Sequence, residues 1–121
     1  MSLTLEQIKA ASLAMRPVTA IDLPLLSRAT GIERLGIRAL SGADMSDVFR
    51  HMGGTFDGLR FPSLVAGMSL VNADSGERIA DIGTVDALKE AMTADESATL
   101  RAASDVINRL SYEAQEEAKK G

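Results

Sequence analysis

Histidine and cysteine chemistry is almost absent from this chain of 121 residues, which has one histidine, His51, and no cysteine. The lack of cysteine excludes disulfides, thiol catalysis and thiolate metal sites. A hydrolytic triad needs a base with an orienting partner, and no such pattern surrounds His51. His51 falls in the predicted last turn of a helix, where the helix dipole favours a protonated imidazole. The sequence therefore favours a structural position for His51 over a catalytic or metal-binding one.

Carboxylates and glycines do not form a reactive site by their spacing either. Asp44 and Asp47 are three residues apart near the start of a predicted helix, where negative charge complements the helix dipole, and this is favoured over metal binding. Gly53, Gly54 and Gly58 form no phosphate loop, because no Gly-Lys-Ser/Thr follows them. A paired-carboxylate enzyme stays open, since distant Asp and Glu residues can meet in a fold. The sequence favours a protein that is not an enzyme and that holds no cofactor and no metal.

Composition limits the partners and the compartment. The net charge is −4, and the Lys and Arg residues are scattered singly apart from Lys119-Lys120. Nucleic-acid binding depends on clustered cations, so DNA and RNA are disfavoured. No apolar run approaches the roughly 20 residues that span a bilayer, and Met1 to Thr4 lack the features of a signal peptide. We expect a soluble, cytoplasmic protein with no membrane partner, whose 45% of hydrophobic residues suffices for one core.

The clearest structural signal is a strand that becomes a helix at Ser41. Leu35, Ile37 and Ala39 alternate with other residues, as in a half-buried strand. Ser41 is a predicted N-cap, and glycines at 53 and 54 predict the end of the helix. The apolar residues of this helix recur three or four positions apart on one face: Met45, Val48, Phe49 and Met52.

The remaining patterns complete an α+β fold, a mainly helical single domain of about five helices with a small antiparallel β-hairpin. The hairpin joins a strand over Val18–Leu26, weakened by Pro24, to the strand that begins near Ile32. Arg78–Ile82 is compatible with a short extended segment. The domain spans residues 1–112, and 113–121 is predicted to be a flexible tail. A helix is predicted at Leu5–Met15, with its N-cap in the capping box Thr4–Gln7, and another at Pro62–Val71. Two more are predicted, one at Val85–Met92 with Thr84 as its N-cap and one from the capping box Thr93–Glu96 to about Ser111.

A cluster of large apolar residues lies around the predicted start of the Pro62 helix. Two interpretations stay open: the side chains fold back as anchors of the core, or they form an exposed apolar lip that contacts a partner. Exposed apolar patches also favour self-association, so a homo-oligomer is a further expectation. The candidate partner-binding residues are Phe56, Leu59, Phe61 and Leu64.

The order of these segments resembles the tail assembly chaperones of long-tailed bacteriophages and prophages. Residues Ile37 to Asp44, Ile-Arg-Ala-Leu-Ser-Gly-Ala-Asp, resemble the family's strand-to-helix element Val-Arg-Glu-Leu-Thr-Gly-Ala-Glu. Ser69 to Ile79 resembles the family's Leu-Val-Asp turn with a following acidic residue and glycine, although Asn72 stands where Asp is common. The opening Leu3–Ile8 and the closing pair of helices from Val85 also resemble the family, so the resemblance covers residues 3 to 111.

The resemblance implies assembly rather than catalysis. Such proteins bind the long tape-measure protein in the bacterial cytoplasm, keep it from aggregating and help to recruit the tail-tube protein. They are absent from the mature virion. Two alternatives stay open: a structural tail component, such as a tail-completion or connector protein, and a small acidic regulator that binds another protein.

Overall fold

The computed structural model describes residues 2–53, 55 and 57–110. Four helices and three short strands lie within the first 72 residues, and two helical segments follow, which makes the described fold α+β and mainly helical. In order, the elements are α1 (Leu5–Met15), β1 (Thr19–Ile21), α2 (Pro24–Thr30), β2 (Leu35–Ile37), α3 (Gly42–His51), α4 (Arg60–Ser69), β3 (Leu70–Asn72), a 3₁₀-helix (Val85–Ala91) and α5 (Ala94–Ile107).

The three strands form one antiparallel sheet in the order β1-β2-β3. Ile37 of β2 lies opposite Thr19 on one side and opposite Leu70 on the other. Every residue of β2 is buried, because the strand has neighbours on both edges. An isolated bridge joins Val71 to Arg78, so the segment predicted as extended makes a single ladder contact there.

Helix α4 is the centre of the core. Its residues from Leu64 to Ser69 are all buried, and it packs against α3, α5 and the 3₁₀-helix. The approach to the 3₁₀-helix is close, since a Cβ at Gly67 would lie 1.9 Å from Cγ2 of Val85. The other fully buried large side chains come from the α2 region, α3 and β3: Leu23, Leu26, Val48 and Leu70.

The predicted strand over Val18–Leu26 is wrong beyond Ile21. Helix α2 begins at Pro24, because the fixed φ of proline suits the first position of a helix. The two strands pair in antiparallel fashion as predicted, but α2 and a loop connect them instead of a simple turn.

The helix predicted over Pro62–Val71 lies over Arg60–Ser69 instead. Proline is tolerated in the first turn because its missing N–H would have no partner inside the helix. Leu70 leaves the helical conformation with φ −74 and ψ 128 and starts β3, which pairs with the open edge of β2. The sheet therefore has three strands in place of the predicted hairpin.

The predicted caps had different outcomes. The predicted capping box at Thr4/Gln7 is present, and it precedes an α1 that has the predicted bounds. The predicted N-cap Ser41 is confirmed, and Asp44 completes a capping box there that the sequence did not predict. Gly53 has the expected left-handed φ of 71. Thr84 does not cap the 3₁₀-helix, since its hydroxyl donates to Asp81 instead. Helix α5 ends at Ile107, earlier than predicted, and Ser111 lies outside the described residues.

The end of α5 is a Schellman motif. Arg109 adopts a left-handed φ of 56, and the amide of Leu110 donates to the Asp105 carbonyl at 2.7 Å. The chain therefore turns away from the helix axis before the predicted tail, which lies outside the described residues.

Candidate partner-binding surface

The candidate surface lies where the end of α3 meets the start of α4. The ring of Phe49 stacks on the ring of Phe61 with centroids 5.2 Å apart and an interplanar angle of 21°. Phe61 is half-buried against the core, whereas Phe49 keeps 46% of its surface exposed. The helical spacing places Phe49 beside the buried Val48, at the edge of the packed face of α3. The two stacked rings therefore form an aromatic surface that is partly exposed to solvent.

A tight turn beside this stack presents Leu59. The carboxylate of Asp57 accepts hydrogen bonds from the amides of Leu59 and Arg60 at 2.9 and 3.1 Å, and these bonds lower the pKa of Asp57. The carboxylate therefore satisfies amides that have no partner inside α4. Leu59 itself is 85% exposed, although the turn that carries it is held by hydrogen bonds. A large apolar side chain held in water by an ordered turn is available for a partner.

Basic groups flank the surface. Arg60 places Nη2 3.3 Å from Nε2 of His51, and the same nitrogen lies 3.8 Å from Oδ2 of Asp86. His51 is exposed in the last turn of α3, which is the position in the helix that the sequence predicts. Within the part of the chain that the structure describes, no group of three or more His, Cys, Asp or Glu could hold a metal ion.

The four predicted site residues have different positions. Leu59 is exposed and Phe61 is half-buried. Leu64 is only 1% exposed, so its assignment to an exposed lip is corrected: it points into the core because it lies one turn into α4, on the packed face. Phe56 lies outside the described residues. The sequence did not identify Phe49 as a member of this surface. Phe49 directly follows Val48 on the apolar face of α3, and this position indicates the edge of that face.

Helix α1 is a second exposed apolar surface. None of its residues is buried. The sequence pattern could not reveal this, because an apolar stripe looks the same whether it faces a core or solvent. The exposed apolar residues on and beside α1 are Leu3, Leu5, Ile8, Leu13 and Met15.

A groove of about 400 Å³ lies between α4, the 3₁₀-helix and α5. Small residues such as Ala66, Gly67 and Ala98 contribute to its lining, together with the cations Lys89 and Arg101. Each of these cations has an acidic neighbour on its own helix, Asp86 and Asp105 respectively. The groove therefore adds concave surface near the core without an excess of charge.

Comparisons of this chain with family models, with curated proteins and with solved structures gave no match. None of the helices in the described ranges is long and apolar enough to cross a membrane.

Proposed function

We propose that this chain is a tail assembly chaperone that binds an amphipathic helical segment of a phage tape-measure protein. The observation that carries the proposal is Leu59, held 85% exposed by the Asp57 turn next to the Phe49–Phe61 stack. An exposed aliphatic group beside an aromatic platform suits an apolar anchor from a partner helix. The sequence resemblance supplies the identity of that partner.

Such a chaperone covers the exposed apolar residues of its client with an apolar surface of its own. A long helical client exposes apolar residues before assembly, and an acidic carrier of net charge −4 keeps the complex dispersed. Arg60 and His51 at the edge of the surface add donors that would pair with acidic residues beside the client's apolar stripe. We propose that the same complex, in the bacterial cytoplasm, is the form that recruits the tail-tube protein.

The test is co-expression of the full chain with a tape-measure protein encoded next to it, followed by affinity capture. Leu59→Ser is expected to lower the affinity about tenfold, because burying a leucine at an interface is worth about 1.5–3 kcal/mol and part of this is lost to ordering costs. Leu59 is 85% exposed and does not belong to the hydrophobic core, so the variant should keep the circular dichroism spectrum and unfolding midpoint of the parent.

Val106→Ser is the matched control, because Val106 is 67% exposed on α5, outside the α3–α4 surface. Equal capture by the parent, the control and Leu59→Ser would show that the Leu59 surface is not the client site. Failure of the parent to bind the tape-measure protein would refute the chaperone proposal itself. Recovery of the chain in purified virions would favour the alternative of a structural tail component.

A further inference from the structure

Three arginines from separate parts of the chain line one small cavity next to α1. Arg16 follows the last residue of α1, Arg38 follows β2, and Arg78 makes the bridge to Val71 of β3. The cavity has a volume of about 210 Å³ and is distinct from the Leu59 surface. The rest of its lining is mainly apolar, with one carboxylate: Leu13, Ala39, Leu40, Asp44, Met68, Val71 and Gly76.

The positive charge of this cavity is only partly balanced. Asp44 forms an ion pair with Arg78, with 2.8 Å between Oδ2 and Nη2. Arg16 and Arg38 form no ion pair with any described residue, since the acids of the described ranges pair elsewhere or lie beyond 4.0 Å. The lining therefore carries an excess of two positive charges beside apolar walls.

The two unbalanced arginines are held in place by backbone carbonyls. Arg16 donates from Nη1 to the Ala39 carbonyl at 2.6 Å, and Arg38 donates from Nε to the Arg16 carbonyl at 2.8 Å. Arg38 also places Nη1 3.5 Å from the Gly76 carbonyl. These contacts fix the orientation of each guanidinium, and within the described chain the Nη2 groups of both arginines donate no hydrogen bond. Fixed guanidinium groups with unused N–H donors are preorganised for an anion.

We propose that this cavity binds a single oxyanion group. Its volume is below the roughly 300–1,000 Å³ of sites for drug-sized ligands, so it suits one phosphate or carboxylate group rather than a nucleotide. The planar forks of arginine match the oxygens of both groups, and the apolar walls strengthen the contacts by lowering the local dielectric. The oxyanion has two possible sources, free phosphate or a glutamate side chain of a partner protein.

The test is a titration of the 15N-labelled full chain followed by NMR, with one arm for each source. One arm uses sodium phosphate, and the other uses N-acetyl-glutamate amide as a mimic of a protein side chain. Sodium chloride at matched ionic strength is the reference. We expect saturable shifts of the Arg16 and Arg38 Nε–H signals and of the Gly76 amide. Saturation with phosphate alone identifies a free phosphate site, and saturation with the glutamate mimic identifies a protein carboxylate.

Two variants with the same loss of charge make the test specific. Arg78→Met removes a cation from the cavity and leaves Asp44 unbalanced there, so we expect the anion to bind at least about tenfold more weakly. Arg34→Met is the control, because Arg34 is also paired with an aspartate, Asp74 at 2.9 Å, but does not line the cavity. It should bind the anion as the parent does.

A third variant guards against loss of the fold. Arg38→Lys keeps the charge but removes the fork, and we expect it to weaken binding about fivefold or more while the far-ultraviolet spectrum is unchanged. Shifts that grow linearly in both arms without saturation would overturn the proposal. The same conclusion would follow if Arg78→Met, folded as judged by its NMR spectrum, bound the anion as tightly as Arg34→Met.

Discussion

Asp44 shows how one side chain can join a helix start to the sheet. Its amide donates to Oγ of Ser41 at 3.1 Å, and its Oδ2 accepts from the Ser41 amide at 3.2 Å, which completes the capping box. The same oxygen lies 2.8 Å from Nη2 of Arg78, on the segment that follows β3. The carboxylate is thus a cap and an ion-pair partner together.

The pH dependence of stability follows from these contacts. Burial raises the pKa of Asp44, but the hydrogen bonds from Arg78 and Ser41 and the charge of Arg78 together outweigh it and lower the pKa below 3.8. Because the folded pKa lies below the unfolded one, the unfolded chain binds more protons in this range. The contribution of Asp44 is therefore complete above the unfolded pKa and is lost as the pH falls through the folded value.

We predict that Asp44→Asn lowers the free energy of unfolding by about 1 kcal/mol at neutral pH, because a partly buried hydrogen-bonded charge contributes at this scale. The difference from the parent should shrink as the pH falls through the folded pKa of Asp44, because the parent carboxyl then becomes protonated as well. Urea unfolding followed by circular dichroism between pH 2 and pH 7 measures both values. In an Arg78→Met background the pH-dependent part should shrink, and a difference that is constant with pH would contradict this account.

At the scale of elements, α5 caps α2 through Glu96. This buried side chain accepts hydrogen bonds from the amides of Leu25 and Leu26 at 2.8 and 3.1 Å. Helix α2 has no side-chain cap of its own, since Leu23 precedes it. The predicted capping box at Thr93 is therefore half formed: the Thr93 hydroxyl accepts from the Glu96 amide, but the Glu96 carboxylate reaches across to α2.

We predict that Glu96→Ala lowers the free energy of unfolding by about 2–4 kcal/mol, because it leaves two amides without their charge-assisted partner. Glu96→Gln should be intermediate, since its amide oxygen can accept from one of the two N–H groups. Glu90→Ala is the control, because Glu90 is exposed on the 3₁₀-helix. Chemical unfolding of the three variants provides the comparison, and equal midpoints for Glu96→Ala and Glu90→Ala would refute this view of the α2 cap.

Local chemistry predicted the elements whose signals are contained in a few neighbouring residues. The caps at Thr4 and Ser41 need partners only three positions away, and both were predicted. The start of α2 and strand β3 depend on distant partners, Glu96 for the first and β2 for the second. Spacing along the chain contains no information about such partners, so the pattern around Pro24 predicts a strand and the pattern around Leu70 predicts a helix.

A polar cluster that the sequence did not reveal joins α5 to α4 and to the segment after β2. Asn108 donates from Nδ2 to Oγ of Ser69 at 2.9 Å and to Ser104, while its Oδ1 accepts from the Leu40 amide at 2.8 Å. Ser69 and Ser104 are buried, so these bonds satisfy polar groups that water does not reach. The cluster fixes the end of α5 against the end of α4 and the chain after β2.

At the scale of the whole molecule, the candidate surface was only partly predictable. The sequence identified the large apolar residues around the start of α4, but helical periodicity alone does not tell which of them point into the core. Leu64 is part of the core and Leu59 is exposed, although both are leucines within five positions. The exposure of Leu59 depends on the Asp57 turn, and the exposure of α1 depends on the absence of a covering element in the described structure.

Helix α1 is attached to the domain differently from the other helices. It contributes no residue to the buried core, and its polar connections to the rest run through Arg16 and Arg38. The cooperative core instead contains α4, α5 and the sheet, which share most of the buried side chains. Elements with few buried contacts open at lower free energy than the core. We therefore expect α1 to unfold before the rest of the domain.

A pair of alanine-to-glycine substitutions tests this order of unfolding. Ala11 in α1 and Ala102 in α5 are both exposed in the interior of a helix, where glycine costs about 1 kcal/mol relative to alanine. Ala102→Gly should lower the global free energy of unfolding by that amount, measured by hydrogen exchange at the buried core amides of Val65 and Leu70. Ala11→Gly should leave these core amides unchanged and speed exchange only within α1, because α1 is already open in the state from which the core unfolds. Equal losses at the core amides for both variants would place α1 inside the cooperative unit.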